Sequence, residues 1–282
     1  MSVIEAIILG IIQGLTEFLP VSSTGHLTVA GKLLNLVDPS KPEQWTAFIA
    51  VIQLGTLLAI LIYFWNDLWN ISKDFLVDNL IKRKGFSAQS QNSKMGWYII
   101  IGTIPVVIIG LGFKDVIEGA LTKNLYVISG SLIVLGIVLA VAERVGKFTK
   151  GLNDVTWKSA LLIGLGQCLA LIPGSSRSGT TITAGLFLGF KRETAARFSF
   201  LLSVPAILGS GLLEFYGSLS YIDSDGLITL AIATLFSAIS GYLTIAFLLN
   251  FLKKHSTYVF VFYRIIIGVT ILTLIYTNII NP

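Results

Sequence analysis

Six stretches of this chain, at approximately 46–65, 97–113, 125–142, 198–216, 227–249 and 259–279, are apolar over the roughly 20 residues a helix needs to cross a hydrocarbon core. Lipid offers no hydrogen bonds to backbone groups, so segments of this kind must satisfy their own as helices. Composition agrees: hydrophobic residues make up 54% of the 282 and charged residues 12%, against about a quarter charged in a soluble domain. Mean hydropathy is +0.82. The chain is therefore read as an all-α integral membrane protein. A net charge of +5 does not point to nucleic acid, because the basic residues fall in short clusters between apolar stretches. The single Cys168 excludes a disulfide framework and a multi-cysteine metal site. The opening Met1-Ser2-Val3-Ile4-Glu5 has no basic region or small-residue cleavage site, so a removed signal peptide is not expected.

Two further apolar stretches, 3–37 and 158–190, are interrupted near their middles. The first breaks at Leu19-Pro20-Val21-Ser22-Ser23-Thr24-Gly25-His26, the second at Ile172-Pro173-Gly174-Ser175-Ser176-Arg177-Ser178-Gly179-Thr180-Thr181. Gly10 falls on Gly164 and Gln13 on Gln167. With a one-residue gap, Pro20 then falls on Pro173, Ser22 on Ser175 and Ser23 on Ser176. Each stretch reads as a helix–loop–helix hairpin that enters the membrane and returns to the same side. Irregular backbone at that depth survives only where it lines a cavity within protein, and paired broken helices in two halves point to a site near the midplane. The expectation is about ten helices, six spans plus two re-entrant hairpins, in one membrane domain over 1–282. Repeat 1 covers about 1–142 and repeat 2 about 155–282, in inverted topology.

Loop charges orient the spans. Lys73, Lys82, Arg83, Lys84 and Lys94 lie in 66–96, and Arg144, Lys147, Lys150 and Lys158 in 143–158. Lys191, Arg192 and Arg197 follow the second hairpin, and Lys253 and Lys254 follow the fifth span. All face the cytoplasm if both termini lie outside. The opposite loops carry Lys114 and Lys123, or only Asp223 and Asp225, while Lys32 and Lys41 oppose the assignment. The first hairpin then enters from outside and the second from the cytoplasm. The polar run Ser87 to Ser93 reads as a flexible loop tip.

The interruptions concentrate chemistry. Glu17 lies one helical turn after Gln13 in an apolar helix, and a carboxylate at the bilayer centre costs about 2.5–3.5 kcal/mol on insertion scales. A structural pairing with Arg177 is one explanation, a functional carboxylate the preferred one. Ser22 or Ser23 suits a helix N-cap, which leaves further hydroxyls and the His26 imidazole unexplained. Arg177 stands among Ser175, Ser176, Ser178 and Thr181, with Gly174 and Gly179 free to turn backbone N–H groups toward one point at a helix start. Its planar guanidinium matches phosphate oxygens. Together these describe an anion cradle, without the Gly-Lys-Ser/Thr of a phosphate-binding loop. His255, after Lys253 and Lys254, reads as a headgroup residue. The parts suit a phosphorylated substrate whose apolar tail stays in lipid.

The Gln13-xxx-Glu17 pair, the run Pro20 to His26 and the run Pro173 to Thr181 resemble the two signature regions of the bacitracin-resistance type undecaprenyl pyrophosphate phosphatases, and the resemblance extends over essentially the whole chain. It implies hydrolysis of undecaprenyl diphosphate to the monophosphate and inorganic phosphate, which recycles the carrier lipid of cell-wall synthesis and confers bacitracin resistance. It further implies a divalent cation, Mg2+ or Ca2+, served by Glu17 with Gln13. Ser23 and His26 would be nucleophile or base, and Arg177 would act on the diphosphate with Ser22, Thr24, Ser175, Ser176, Ser178 and Thr181. Many relatives carry a second Glu where this chain has Gln13, which leaves one carboxylate for a metal. The implied setting is the bacterial plasma (inner) membrane; the loop charges place the site facing outward, and a homodimer is an open expectation. The choice among Ser23, His26 and water as nucleophile is left open. A polyprenyl-phosphate carrier using the same cradle is the alternative; it would need no base or nucleophile.

Overall fold

A computed structural model describes residues 1–38, 40–119, 123–218 and 224–281; Asp223, one of the loop charges above, lies outside them. Among the described residues it contains twelve α-helices and no strand: α1 Val3–Phe18, α2 Ser23–Leu33, α3 Pro42–Tyr63, α4 Trp65–Leu76, α5 Gln91–Gly112, α6 Lys114–Glu118, α7 Leu125–Val145, α8 Trp157–Cys168, α9 Arg177–Phe187, α10 Arg192–Ser218, α11 Ser224–Lys254 and α12 Tyr258–Tyr276. Six of them, α3, α5, α7, α10, α11 and α12, are long and apolar enough to cross a membrane. The helices α1, α2, α8 and α9 form the two broken segments, and α4 and α6 are short additions in connections.

Side chains at the helix starts mark these boundaries. Ser2 and Glu5 close a capping box on α1, Ser90 Oγ accepts from Ser93 N at the head of α5, and Asn124 Oδ1 accepts from two backbone amides of α7. The segment after α4 is not a flexible tip. Ser90 N donates to Asp78 Oδ2 (2.7 Å), Gln89 Nε2 to Asn79 Oδ1 (2.9 Å) and Ser93 Oγ to Gln89 Oε1 (3.0 Å), so the run is tied down through the buried Gln89 and Ser93 while Ser87, Gln91 and Asn92 stay exposed. Lys84 pairs with Asp78 at 2.8 Å. Polarity alone marked a loop; the partners that order it sit a dozen residues upstream.

The two hairpins match in a register that differs from the proline-anchored one. Ser22 (φ 74°) and Ser176 (φ 67°) both occupy the left-handed region and both cap the helix that follows, accepting from Gly25 N and Gly179 N. The helices α2 and α9 have 11 residues each and are followed, two residues past their ends, by Asn35 and Gly189, again with positive φ. The ungapped spacing that pairs Gly10 with Gly164 thus runs through the whole hairpin, pairing Ser22 with Ser176 rather than Ser175. Pro20 and Pro173 are the displaced members. The N-cap serines, held in a conformation L-residues rarely adopt, set the match.

Glycines dock each hairpin. A Cβ on Gly10 would lie 2.3 Å from Ala233 O of α11, and one on Gly164 2.1 Å from Gly102 O of α5. Backbone-to-backbone approach of this kind holds apolar helices together where the hydrophobic effect cannot. The first hairpin therefore leans on a span of the second half, and the second hairpin on a span of the first. The span α7 packs on α12, and α3 on α10 and α11. At the end with the basic loops, the buried Glu143 carboxylate accepts from Arg192 and from Thr257 Oγ1 (2.9 Å), joining α7, α10 and the start of α12.

Candidate active site

The hairpin tips meet. Ser178 Oγ donates to Leu19 O at 2.9 Å, with Ser176 Oγ 3.1 Å from Ser178 Oγ. Across this junction the Arg177 guanidinium forms an ion pair with Glu17 Oε1. The other carboxylate oxygen, Oε2, accepts from Gln13 Nε2 at 2.8 Å and from Ser23 Oγ at 2.7 Å. Glu17 is 5% exposed. A buried carboxylate is tolerated there because both oxygens have donors, three in all, and one donor is charged.

These groups face a cavity of about 560 Å3. Glu17, Ser22, Ser23, Thr24, Ser176 and Arg177 line its inner part, and Trp45, Lys114, Lys123 and Glu214 line it farther out. Trp45 is near the start of α3, Lys114 follows α5, and Glu214 is near the end of α10. The outer part therefore sits at the end of the bundle opposite the basic loops.

The sequence-derived candidates separate into three groups. Gln13, Glu17, Ser23 and Arg177 form one bonded cluster, with Ser22, Thr24 and Ser176 on the same cavity wall. Ser175, Ser178 and Thr181 stand behind it: Ser178 ties the tips together, while Thr181 Oγ1 donates to Arg177 O (2.7 Å) and lies 2.6 Å from Ser199 Oγ. These three do not line the cavity. Small hydroxyl residues serve helix starts and tip packing as readily as anions, and the sequence does not separate the two uses. His26 also points elsewhere. Its Nδ1 lies 2.7 Å from Ser22 O, which only accepts, so Nδ1 carries the hydrogen and Nε2 accepts from Tyr263 OH at 2.8 Å. The ring stacks on Tyr263, with centroids 5.6 Å apart. Tyr263 comes from α12, a partner that sequence proximity does not reveal.

One residue was missed. Arg264, in the middle of α12, is 1% exposed and binds carbonyls of three segments. Its Nε donates to Leu132 O (3.1 Å) and Nη1 to Pro20 O (3.3 Å); Nη2 reaches Ser175 O (3.0 Å), Gly174 O (3.3 Å) and Ser131 O (3.4 Å). It pins both hairpin tips to α7. The signal was present, since an arginine within an apolar span demands a polar counterpart. The carbonyls of the broken segments are that counterpart.

Gln13 Oε1 is buried without a partner on the amide whose Nε2 bonds Glu17, and an unpartnered oxygen next in line to a carboxylate fits a hard divalent cation. Among the described residues, no three His, Cys, Asp or Glu side chains converge. A cation held here would take its remaining oxygens from substrate and water, as Mg2+ commonly does.

The family model described as "Bacitracin resistance protein BacA" matches residues 6–270. The chain belongs to this family. Among curated BacA-like relatives, an "Undecaprenyl-diphosphatase" of Syntrophobacter fumaroxidans is 59% identical over 99% of both chains. Proteins of the same name from Chlorobium phaeobacteroides and Chloroherpeton thalassium are each 52% identical, over 98% of this chain and 98% and 97% of theirs. The BacA family match spans both hairpins, so the Glu17–Arg177 junction lies within the shared region.

Proposed function

We propose that this chain hydrolyses undecaprenyl diphosphate to undecaprenyl phosphate and inorganic phosphate in a bacterial plasma membrane. The observation that carries the reading is the hydrogen bond from Ser23 Oγ to Glu17 Oε2, beside Arg177 in the same cavity. A hydroxyl bonded to a carboxylate that is itself oriented by Gln13 is an activated nucleophile arrangement. Ser23 Oγ attacks the terminal phosphorus, Glu17 takes its proton, and the bond to the bridging oxygen breaks to release undecaprenyl phosphate. Glu17 passes that proton to the departing lipid phosphate. Water then cleaves the phosphoserine, with Glu17 taking the water's proton and returning it to Ser23 Oγ, and phosphate leaves. Arg177 meets the charge on the phosphoryl oxygens with its planar fork. His26, held by Ser22 and Tyr263, fixes the turn that aims Ser23.

A divalent cation, Mg2+ or Ca2+, would be held by Glu17 and Gln13 Oε1 and would neutralise charge on the diphosphate oxygens. The cavity's outer part lies opposite the basic loops, which supports a site facing outward. There the diphosphate enters with its polyprenyl tail left in lipid. A carrier built on the same anion cradle needs no hydroxyl bonded to a carboxylate, and that bond favours hydrolysis. Terminally 32P-labelled undecaprenyl diphosphate tests the proposal. Label appears as phosphate, and acid quenching traps it transiently on the peptide containing Ser23. Label that stays on the lipid overturns the reading.

A further inference from the structure

Gln167, on α8, is fully buried at the cavity wall, and neither Nε2 nor Oε1 meets a hydrogen-bond partner among the described residues. A buried amide without partners is costly, and natural structures keep few of them. The space the residue adjoins is the cavity that holds Glu17 and Arg177.

The hairpin match explains how the amide came to be unpartnered. Gln167 occupies the position of Gln13, whose Nε2 donates to the carboxylate one turn later, Glu17. In the second hairpin the residue one turn after Gln167 is Leu171, which also lines the cavity. The repeat thus keeps the amide and loses its internal acceptor. The geometry points to Gln167 as a phosphate-binding side chain: Nε2 donates to a phosphoryl oxygen of the diphosphate, and Oε1 accepts from a bound water or a protonated phosphoryl oxygen. An amide suits this position because it adds donors without a second cation to compete with Arg177 for Glu17. The inference rests on the diphosphatase reading for the identity of the substrate, but it is separable from turnover.

The test compares wild type, Gln167→Leu and Gln167→Glu in two assays: KM and kcat for undecaprenyl diphosphate, and the inorganic pyrophosphate concentration that half-maximally raises the melting temperature. In Gln167→Leu, KM and the pyrophosphate midpoint rise about tenfold or more, the worth of one hydrogen bond to a charged group. The melting temperature without pyrophosphate stays level or rises, because an unmatched amide is gone. Gln167→Glu weakens pyrophosphate further, since a carboxylate repels it. If wild type binds pyrophosphate but releases no phosphate, and Gln167→Leu weakens that binding, the diphosphatase reading falls and this inference stands. An unchanged KM and midpoint in a folded variant overturn it. If Gln167→Leu fails to fold, Gln167→Glu decides; failure of both to fold makes the amide structural and also overturns the inference.

Discussion

Replacing Arg264 with lysine keeps a positive charge in α12 but removes the fork that joins two hairpin tips to a span. The guanidinium serves five carbonyl oxygens at 3.0–3.4 Å, from Pro20, Ser131, Leu132, Gly174 and Ser175. An ammonium has three donors at a single point, so at least two of these carbonyls lose their partner. Each buried carbonyl left unmatched costs about 1–3 kcal/mol, giving about 2–6 kcal/mol, a large share of a typical folding free energy. No carboxylate faces Arg264 among the described residues, so the loss is not offset by a freed charge pair. The melting temperature in detergent should fall by on the order of 5–15 °C. Turnover should fall about 100-fold in the protein that remains folded, because loosening the tips by an ångström misaligns Ser23 and Arg177. The assay pairs a thermal melt with phosphate release measured well below the melt. A lysine variant that melts within about 1 °C of wild type and turns over normally would refute the assignment of Arg264 as the brace between the tips.

Arg177→Lys should lower kcat/KM by orders of magnitude although the charge is kept, because a point charge does not reproduce two parallel bonds to phosphate; near-normal steady-state kinetics would remove the diphosphate from Arg177. Glu17→Gln leaves packing intact and removes the proton acceptor beside Ser23, so phosphate release should drop about 100-fold or more while the variant still elutes as folded protein. Active Glu17→Gln would return the carboxylate to a purely structural pairing with Arg177. Cysteine at Ser210, an exposed residue of the outer cavity, placed in a Cys168→Ala background, should react with a membrane-impermeant thiol reagent on intact cells. Labelling only after the inner face is opened would reverse the orientation.

The spans were legible because length and apolarity alone decide them, and their ends shifted by no more than six residues. The junction was legible too. Proline, glycine and hydroxyl residues in apolar surroundings have no place in lipid, and Glu17 and Arg177 needed each other there. What could not be read was direction. His26 and Ser23 are three residues apart, yet one faces Tyr263 of α12 and the other Glu17 of α1. The hairpin register was misread by one because prolines attract an alignment, whereas the fold is anchored by the φ of Ser22 and Ser176. The segment 66–96, read from sequence for its loop charges, begins with the helix Trp65–Leu76, whose Trp65, Leu68, Trp69 and Leu76 form one apolar face. Arg264 was overlooked in a span judged by its average hydropathy, which one arginine barely moves.

The most direct test of hydrolysis at the hairpin junction is phosphate release by the purified chain in liposomes containing undecaprenyl diphosphate. The measurement is made with and without EDTA and repeated with Ser23→Ala. One phosphate should appear per undecaprenyl phosphate formed, chelation should stop it, and Ser23→Ala should retain no more than about a hundredth of the rate. Lipid that crosses the bilayer with its diphosphate intact, or a Ser23→Ala protein as fast as wild type, would contradict the account.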